Sequence, residues 1–438
     1  MKLMRRRFLR KIMNTRTPIQ SFGCAWIIAW SIATSASPAQ AVDDVKAIAP
    51  VEWNQWRGPA RDGFVSGSLW PDALDQSRLQ KLWRVDLGPG YSGPIVAGQS
   101  VFVTETRDKK TEHIRALDRK TGKELWQSGW DGAMSVPFFA SSNGSWIRAT
   151  PAIDEGRIFV AGMRDLLVCF DALTGKEIWK VDFMKAFESP LPAFGFVSSP
   201  LVIGDFVYVQ AGGGFVKLEK ATGAVVWRVM VDGGGMSGSA FSSPYLTTLS
   251  GTRQILVQGR EELAGVDPDK GNALWKTPVE AFRGMNIVTP TVFENRIFTT
   301  SYGGGSFLFS IDQALADKAV SSVWRNKIQG YMSSPIIINQ HAYIHLRNQR
   351  FACLDLNTGK EAWITTPFGS YWSMVAQGDR ILALDETGDL RLIRASPEKY
   401  DLVGEMKVSE KPSWAHLVVV DDEIYVRDLE GVTAWQWK

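Results

Sequence analysis

The four histidines are the residues of this chain best suited to bind a transition metal. His341 and His345 have the spacing of a metal pair on a helix, but the residues between them are typical of a β-strand. A strand holds side chains four residues apart at about 13 Å, so the two rings cannot share one ion. His113 and His416 have no ligand at suitable spacing, and a loop or surface role is predicted for both. The sequence therefore predicts no metal site.

The glycine-rich runs match the spacing of nucleotide-binding loops but not their context. Residues 233–238 satisfy a dinucleotide fingerprint, yet a strand that begins at Ser242-Ser243-Pro244 follows them. That fingerprint needs a helix N-terminus to hold pyrophosphate. The runs at residues 212–214 and 303–305 are predicted to be turns between strands. A hydrolase triad stays open in a chain rich in Ser, but no nucleophile elbow is present, and no catalytic residue is predicted.

A ten-residue pattern organises the chain that must position any functional side chain. Residues 117–126, Leu-Asp-Arg-Lys-Thr-Gly-Lys-Glu-Leu-Trp, return in similar form five times in all. An acid, a tight turn with Gly and a β-rich run that ends on Trp predict a hairpin. The recurring tryptophans are 39 to 53 residues apart, the length of a four-stranded propeller blade. Each is predicted to dock on the neighbouring blade: Trp83, Trp126, Trp179, Trp227, Trp275, Trp324 and Trp363.

Small-residue and proline motifs, such as Ala149-Thr150-Pro151, mark the starts of six units, and two degenerate starts without proline, Trp372-Ser373-Met374 and Trp414-Ala415-His416, bring the number of units to eight. The eighth unit lacks a fourth strand, and residues 79–87 supply the strand that is missing. The predicted fold is therefore an all-β, eight-bladed propeller of four-stranded antiparallel blades, closed by an N-terminal strand that completes the last blade. It spans residues 78–438, and residues 42–77 form an extension that packs on it. In the fifth unit, residues 312–322 are expected to form a helical turn or a longer loop.

Residues 1–41 have the composition of an export signal. They hold seven basic residues and no acid, an apolar run from Phe22 to Ala33, and Ala39-Gln40-Ala41. This pattern predicts a signal peptide cleaved near Ala41 and a mature chain without a transmembrane segment. The secretory route and a twin-arginine route, suggested by Arg5-Arg6-Arg7, both stay open. Lipidation at Cys24 is disfavoured, because no apolar core precedes it.

Charge and cysteine usage narrow the possible partners and compartments. Without residues 1–41 the chain has 42 basic and 46 acidic residues, so no basic surface for nucleic acid is expected. Cys169 and Cys353 occupy the same strand position in units four apart. Across an eight-bladed ring they lie far beyond the roughly 7 Å that a disulfide allows between Cα atoms. Both are predicted to be reduced core residues.

The Asp-x-x-Thr-Gly-x-x-x-Trp units resemble the tryptophan-docking repeats of the pyrroloquinoline-quinone-like propellers over about residues 78–438. That family includes quinone-dependent alcohol dehydrogenases and a non-enzymatic branch similar to outer-membrane protein assembly factor B. The resemblance implies that a dehydrogenase would have two adjacent Cys, and a calcium held by Glu and Asn beside an Asp base. No two Cys are adjacent here, and no acidic cluster suits a hard cation. No cofactor is expected, with pyrroloquinoline quinone and calcium as the alternative.

Loops that lead into the innermost strands crowd one mouth of a propeller's channel. Aromatic and Arg residues there are typical of recognition surfaces, although the same residues could simply fill the channel. The longest of these loops, residues 130–146, contains Phe138 and Phe139, whose exposure would indicate a protein partner. The predicted binding residues are Trp146, Arg148, Phe196, Arg283, Asn286, Tyr331, Trp372, Trp414 and His416.

These observations favour an exported, monomeric, non-catalytic propeller in the periplasm or cell envelope. Its expected role is that of a protein-interaction scaffold, with an envelope protein as partner and outer-membrane protein assembly as the setting. Two alternatives stay open. One is a quinone-dependent dehydrogenase or a diverged relative of one. The other is a glycan-binding module, suggested by the rim aromatics.

Overall fold

The computed structural model describes residues 52–236, 238, 240–311 and 320–438, and within them the repeats form eight four-stranded antiparallel sheets. The predicted eight-bladed propeller is thereby confirmed. Strands are numbered in chain order, and blades are numbered in the order of their innermost strands. The first strand, β1 (Leu79–Asp86), belongs to the last blade. The predicted signal peptide lies outside the described residues.

Blades 1 to 4 each consist of four consecutive strands. Blade 1 contains β2 (Ile95–Ala97), β3 (Ser100–Arg107), β4 (Thr111–Asp118) and β5 (Glu124–Asp131). Blade 2 contains β6 (Ala152–Asp154), β7 (Arg157–Gly162), β8 (Leu166–Asp171) and β9 (Glu177–Asp182). Blade 3 contains β10 (Leu201–Ile203), β11 (Phe206–Gln210), β12 (Phe215–Glu219) and β13 (Val225–Val229). Blade 4 contains β14 (Tyr245–Leu249), β15 (Thr252–Gln258), β16 (Glu262–Val266) and β17 (Ala273–Pro278).

Blades 5 to 7 repeat this order, and blade 8 takes its outer strand from the start of the propeller. Blade 5 contains β18 (Thr291–Phe293), β19 (Arg296–Ser301), β20 (Gly305–Ile311) and β21 (Val320–Asn326). Blade 6 contains β22 (Ile336–Ile338), β23 (His341–His345), β24 (Phe351–Asp355) and β25 (Glu361–Ile364). Blade 7 contains β26 (Trp372–Gln377), β27 (Arg380–Asp385), β28 (Asp389–Arg394) and β29 (Asp401–Lys407). Blade 8 contains β30 (Val418–Val420), β31 (Glu423–Asp428), β32 (Gly431–Trp437) and β1.

The closure of the ring is confirmed by the pairing of the two ends of the propeller. β1 pairs antiparallel with β32 from Leu79 opposite Trp437 to Asp86 opposite Gly431. Neither strand is left with an open inner edge, which removes a template for aggregation. Short helical turns lie in loops between blades, namely a 3-10 helix at Phe138–Asn143, α1 (Phe183–Phe187) and a 3-10 helix at Phe282–Gly284. None of the helices in the described ranges is long and apolar enough to cross a bilayer.

The middle strands of a blade are apolar on both faces because a neighbouring blade covers each face. β8 is buried along Leu166 to Phe170, whereas Trp179 is the one buried residue of the outer strand β9. In all eight described blades the pairing of the outer strand shifts register beside the docking position. Such a bulge turns one extra residue outward. It explains the exposure of Leu125 and Ile178, each of which precedes a docking tryptophan.

Most docking tryptophans lie against the hairpin turn of the next blade. Trp126 donates its indole N–H to the Ala172 carbonyl at 3.0 Å, and a Cβ added at Gly175 would overlap its ring. Gly175 has a φ of +72°, a conformation that also favours glycine. Five other tryptophans donate to a turn carbonyl in the same way: Trp83, Trp179, Trp227, Trp324 and Trp363.

Trp275 makes a different hydrogen bond. Its indole donates to Gln254 Oε1 of its own blade at 2.6 Å. The ring still belongs to a buried apolar cluster that includes Phe307 and Ile311 of blade 5. The corresponding turn of blade 5, at residues 312–319, lies outside the described residues, as does most of the helical turn or loop predicted there.

Candidate binding site at the channel mouth

An apolar cleft of about 1230 Å³ lies where the loops between blades converge at one end of the propeller axis. Loops from five consecutive blade junctions contribute to it. Its aromatic and thioether side chains come from different loops, so the apolar surface forms only when the blades are assembled into the propeller. The main apolar residues are Phe139, Phe194, Met236, Phe241, Phe282, Tyr331 and Met332.

The loop between blades 1 and 2 carries the most exposed part of this cleft. Pro137 precedes the 3-10 helix Phe138–Asn143, which ends at Gly144 with a φ of +73°. The turn leaves Phe138 89% exposed and Phe139 54% exposed. Phe139 contacts Phe194 edge to face, at 6.3 Å between ring centres. Large aromatic residues at such exposure are typical of interaction surfaces.

Arginines alternate with the aromatic rings of the cleft. Arg260 lies 4.5 Å above the Phe241 ring and donates to the Arg283 carbonyl at 2.8 Å. Burial lowers the pKa of the Arg260 guanidinium, which has no carboxylate within ion-pair distance among the described residues. Arg283 stacks on Phe282 at 5.2 Å and is exposed. Glu280, on the rim, is already paired with Arg325 at 2.5 Å. The cleft therefore combines apolar surface with positive charge.

A smaller cavity of about 200 Å³ continues from the cleft along the propeller axis. Tyr91 stacks on Trp414 at 4.8 Å, and Trp414 contacts Tyr371 at 4.3 Å between ring centres. Arg148 lies 5.6 Å from the centre of the Tyr91 ring and donates to the Gly144 carbonyl at 2.8 Å. Burial lowers the pKa of Arg148. The wall of the axial cavity is thus aromatic at the end next to the cleft.

A belt of hydroxyl groups surrounds the axial cavity. The hydroxyl residues of the small-residue and proline motifs bridge neighbouring blades. Ser199 Oγ accepts from the Thr150 N–H at 3.0 Å, and Ser243 Oγ accepts from the Ser199 N–H at 3.0 Å. Thr289 and Ser334 extend the belt to blades 5 and 6. The motifs were recognised from the sequence as blade starts, but their side-chain role was not.

The floor of the axial cavity comes from the segment that precedes β1. Trp53 pairs with Val96 of blade 1, and the Val65 N–H donates to the Ala376 carbonyl of blade 7 at 2.8 Å. Between them, Trp56 lines the cavity. Trp56 lies 5.6 Å from the Arg57 guanidinium and 5.7 Å from that of Arg61.

Arg57 and Arg61 are buried, and among the described residues neither has a carboxylate within ion-pair distance. Arg57 donates to the Pro335 carbonyl at 2.7 Å, and Arg61 donates to the Pro200 carbonyl at 2.7 Å. Burial lowers the pKa of Arg57 to about 10 and that of Arg61 to about 9, so both stay charged at neutral pH. The sequence predicted that residues 42–77 pack on the propeller, but it indicated no role for these two arginines. Two arginines close to Gly58 and Pro59 are typical of an exposed turn, so the sequence pattern did not predict their burial.

Seven of the nine predicted binding residues lie at the cleft or around the axial cavity. Tyr331 and Arg283 line the cleft, and Arg148 lines both spaces. Trp414 and His416 line the axial cavity, where burial lowers the pKa of His416 to about 3. Trp372 also borders it, although its ring is buried and stacks on His345 at 4.8 Å. Half-buried Trp146 lies against Gly144 beside this space.

Two predicted binding residues are structural instead. Phe196 is only 2% exposed and packs in the core between blades 2 and 3, 6.2 Å from Phe183. Asn286 is fully buried, and its amide donates to the carbonyls of Arg260 and Val279 at 3.0 Å. The loops of both residues turn back towards the blades, so that these side chains are unable to contact a surface ligand.

The cysteine and carboxylate positions do not fit the quinone and calcium apparatus. Cys169 and Cys353 are buried in β8 and β24, on blades 2 and 6. Burial raises the pKa of each thiol to about 12. Across the described ranges no group of three or more His, Cys, Asp or Glu residues is placed to hold a metal ion. The residues that the family resemblance assigns to the cofactor thus have no counterparts at the mouth.

The docking repeats and the closed ring define an eight-bladed propeller of the pyrroloquinoline-quinone-like class. A family described as outer membrane protein assembly factor BamB matches residues 110–365. The chain belongs to this family.

Individual proteins resemble the chain in sequence or in fold. The chain is 20% identical to outer membrane protein assembly factor BamB of Yersinia pestis, over 69% of this chain and 75% of the relative. The solved structure of BamB from Moraxella catarrhalis has a TM-score of 0.59 at 16% identity, and covers 82% of this chain and 98% of its own. A europium-containing methanol dehydrogenase has a TM-score of 0.61 at 15% identity, over 88% of this chain and 91% of its own. These structural likenesses show the shared fold.

Proposed function

We propose that the protein is an exported, non-catalytic scaffold that binds an envelope protein at its mouth cleft and serves outer-membrane protein assembly. The observation that carries the proposal is the exposed apolar surface of the cleft. Phe139, Met236 and Phe282 line the cleft and are 54%, 51% and 46% exposed, and Phe138, which contacts Phe139 beside the cleft, is 89% exposed. These residues come from three different loops. The relatives named as outer membrane protein assembly factors support the setting of this activity.

The partner segment that fits this cleft is apolar with acidic side chains. The rings would bury apolar residues of the partner, and each fully buried large side chain contributes roughly 1.5–3 kcal/mol. The exposed Arg283 would pair with a carboxylate of the partner, and the buried Arg260 adds positive charge to the wall of the cleft. Of the two acids that line the cleft, Glu280 already binds Arg325, and Glu261 lies next to Arg260 in sequence. Aromatic residues and Arg are the types that most often dominate binding energy.

The proposal also assigns a role to each of three segments of the chain. Residues 1–41 act as a signal peptide cleaved near Ala41, residues 42–77 are an extension of the propeller, and residues 78–438 are the propeller itself. The mature protein is a periplasmic monomer without a cofactor. N-terminal sequencing of the protein recovered from the envelope tests the cleavage, and sedimentation tests the oligomeric state. An uncleaved N-terminus would contradict the export assignment.

Site-specific photo-crosslinking tests the docking surface. A photoreactive amino acid replaces Phe138 in one variant and Leu173 in a control variant. Leu173 is 86% exposed, but it lies in the turn between β8 and β9, at the opposite end of the blade from the mouth. We expect Phe138 to crosslink to a component of outer-membrane protein assembly in native envelopes, and we expect Leu173 to give no such product.

A second pair of variants tests the energetics. Phe138→Ser with Phe139→Ser, in a chain without the photoreactive residue, should reduce affinity capture of the partner that crosslinking identifies at least tenfold and leave the melting temperature unchanged, because both rings are exposed. Leu173→Ser is the matched control. Equal crosslinking from both positions, or full recovery with the double variant, would contradict docking at the cleft.

A further inference from the structure

We propose that the axial cavity binds a small oxyanion, such as a phosphate, sulfate or carboxylate group. This site lies below the mouth cleft and is independent of the protein partner. Its volume of about 200 Å³ suits an ion of that size together with water.

The hydroxyl belt supplies hydrogen-bond donors. Each Oγ accepts a backbone N–H from an adjacent blade, which leaves the O–H of that group as a donor. Among the described residues, none of five belt hydroxyls that line the cavity donates to a protein acceptor. These five are Thr150, Ser199, Ser243, Ser334 and Ser373. Because they come from five different blades, their donors surround one volume.

The charges around the cavity are positive. No carboxylate belongs to the described residues that line it, whereas Arg148 does. Arg57 and Arg61 lie beneath Trp56, and their hydrogen bonds go to uncharged acceptors such as the carbonyls of Pro335 and Pro200. Buried charges attract an opposite charge more strongly than exposed ones, because water screens them less. An anion above Trp56 would offset both guanidinium groups.

Besides the hydroxyl groups, two residues that line the same space, His416 and Asn143, carry a side-chain acceptor. His416 Nδ1 lies 2.9 Å from the Leu417 carbonyl oxygen, which can only accept. Nδ1 therefore carries the proton in the neutral ring, and Nε2 remains an acceptor. One neutral nitrogen of His416 and one neutral amide oxygen of Asn143 repel an anion only weakly, compared with the attraction of the hydroxyl donors and three cations.

The anion would enter from the mouth. Arg148, Phe241 and Met332 line both the cleft and the axial cavity, so the two spaces are continuous. At the other end, the segment around Trp56 closes the axis. Arg148 stands at the junction, where it could attract an anion from solution.

Titration with defined anions tests the site in the full mature protein. The probes are inorganic phosphate, sulfate and succinate, at constant ionic strength set with chloride, and the readouts are calorimetry and quenching of tryptophan fluorescence. We expect saturable binding of at least one probe, with a rise in melting temperature. The three arms separate an inorganic oxyanion from an organic carboxylate. No saturable binding of any probe would overturn the proposal.

Matched serine variants locate the bound ion. Ser243→Ala removes one belt hydroxyl, and hydrogen bonds to charged groups are strong enough that the affinity should fall roughly tenfold. Ser242→Ala is the control, since Ser242 is fully buried next in sequence but does not line the cavity. Arg148→Met, with its side chain at the cavity entrance, should also weaken binding. Unchanged affinity in Ser243→Ala, or an equal loss in Ser242→Ala, would place the ion elsewhere and refute this site.

Discussion

The contact between Trp126 and Gly175 offers a direct test of how one blade holds the next. Gly175 belongs to the hairpin turn of blade 2, and the Trp126 indole of blade 1 lies against it. Gly175→Ala introduces a methyl group that overlaps this ring and also places Ala at a φ of +72°. The substitution therefore combines a local backbone effect with an effect on the interface between blades.

The two effects have different magnitudes. Ala in the left-handed region costs roughly 1 kcal/mol relative to Gly. Displacing the packed indole costs about 2 kcal/mol more, as overpacking of a dense core does. Trp126→Ala alone should lower the free energy of unfolding by about 3 kcal/mol. Once the ring is gone, Gly175→Ala should cost only the backbone part. The coupling between the two substitutions is then about 2 kcal/mol.

Urea denaturation of the four proteins of this double-mutant cycle measures the coupling. Gly156→Ala is the matched control, because Gly156 lies in another turn of blade 2 with a φ of +75° and no atom near an added Cβ. It should cost about 1 kcal/mol with or without Trp126. A coupling below about 0.5 kcal/mol for Gly175 would refute the view that the indole is pressed against this turn.

Other substitutions test the buried groups of the blades. Burial raises the pKa of Glu112 from 4.5 to about 7. The free energy of unfolding, compared with that of Glu112→Gln, should therefore fall as the pH rises from 4.5 to 7. Urea denaturation at pH 5 and pH 8 should show a relative loss of up to about 3 kcal/mol, and parallel pH profiles would argue against it. Trp275→Ala should cost about 3 kcal/mol, whereas a loss under about 1 kcal/mol would exclude tight packing between blades. Cys169 and Cys353, with thiol pKa values of about 12, should react with Ellman's reagent only after denaturation, and fast native labelling would contradict their burial.

The blades were predictable from the sequence because their signals are local. A hairpin turn with Gly, an alternating strand and a Trp at fixed spacing all act within one unit. Counting the strands then showed that the last unit lacks one, and pairing of β1 with β32 follows from the need to close the ring. Strand propensity and repeat length agree in most blades, which makes the prediction reliable even though β29 of blade 7 lacks the docking tryptophan.

The mouth was predicted less well, because position in a loop does not fix the direction of a side chain. Phe196 and Phe194 are two residues apart, yet the first is buried and the second lines the cleft. Asn286 satisfies loop carbonyls, whereas its neighbour Met285 lines the cleft. The exposure of Phe138 follows from the 3-10 turn that carries it. These outcomes depend on tertiary contacts that no spacing rule contains.

The buried arginines connect the extension to the blade starts. Six of the eight starts place a proline after a small residue, and Pro200 and Pro335 directly precede the innermost strands β10 and β22. Arg57 and Arg61 donate to two of these carbonyls, at Pro335 and Pro200, on blades far apart in the chain. A guanidinium group has several N–H donors in a fixed arrangement, so it can bind backbone carbonyls that come from different parts of the chain. The segment thereby closes one end of the axis and leaves the mouth as the open end of the channel.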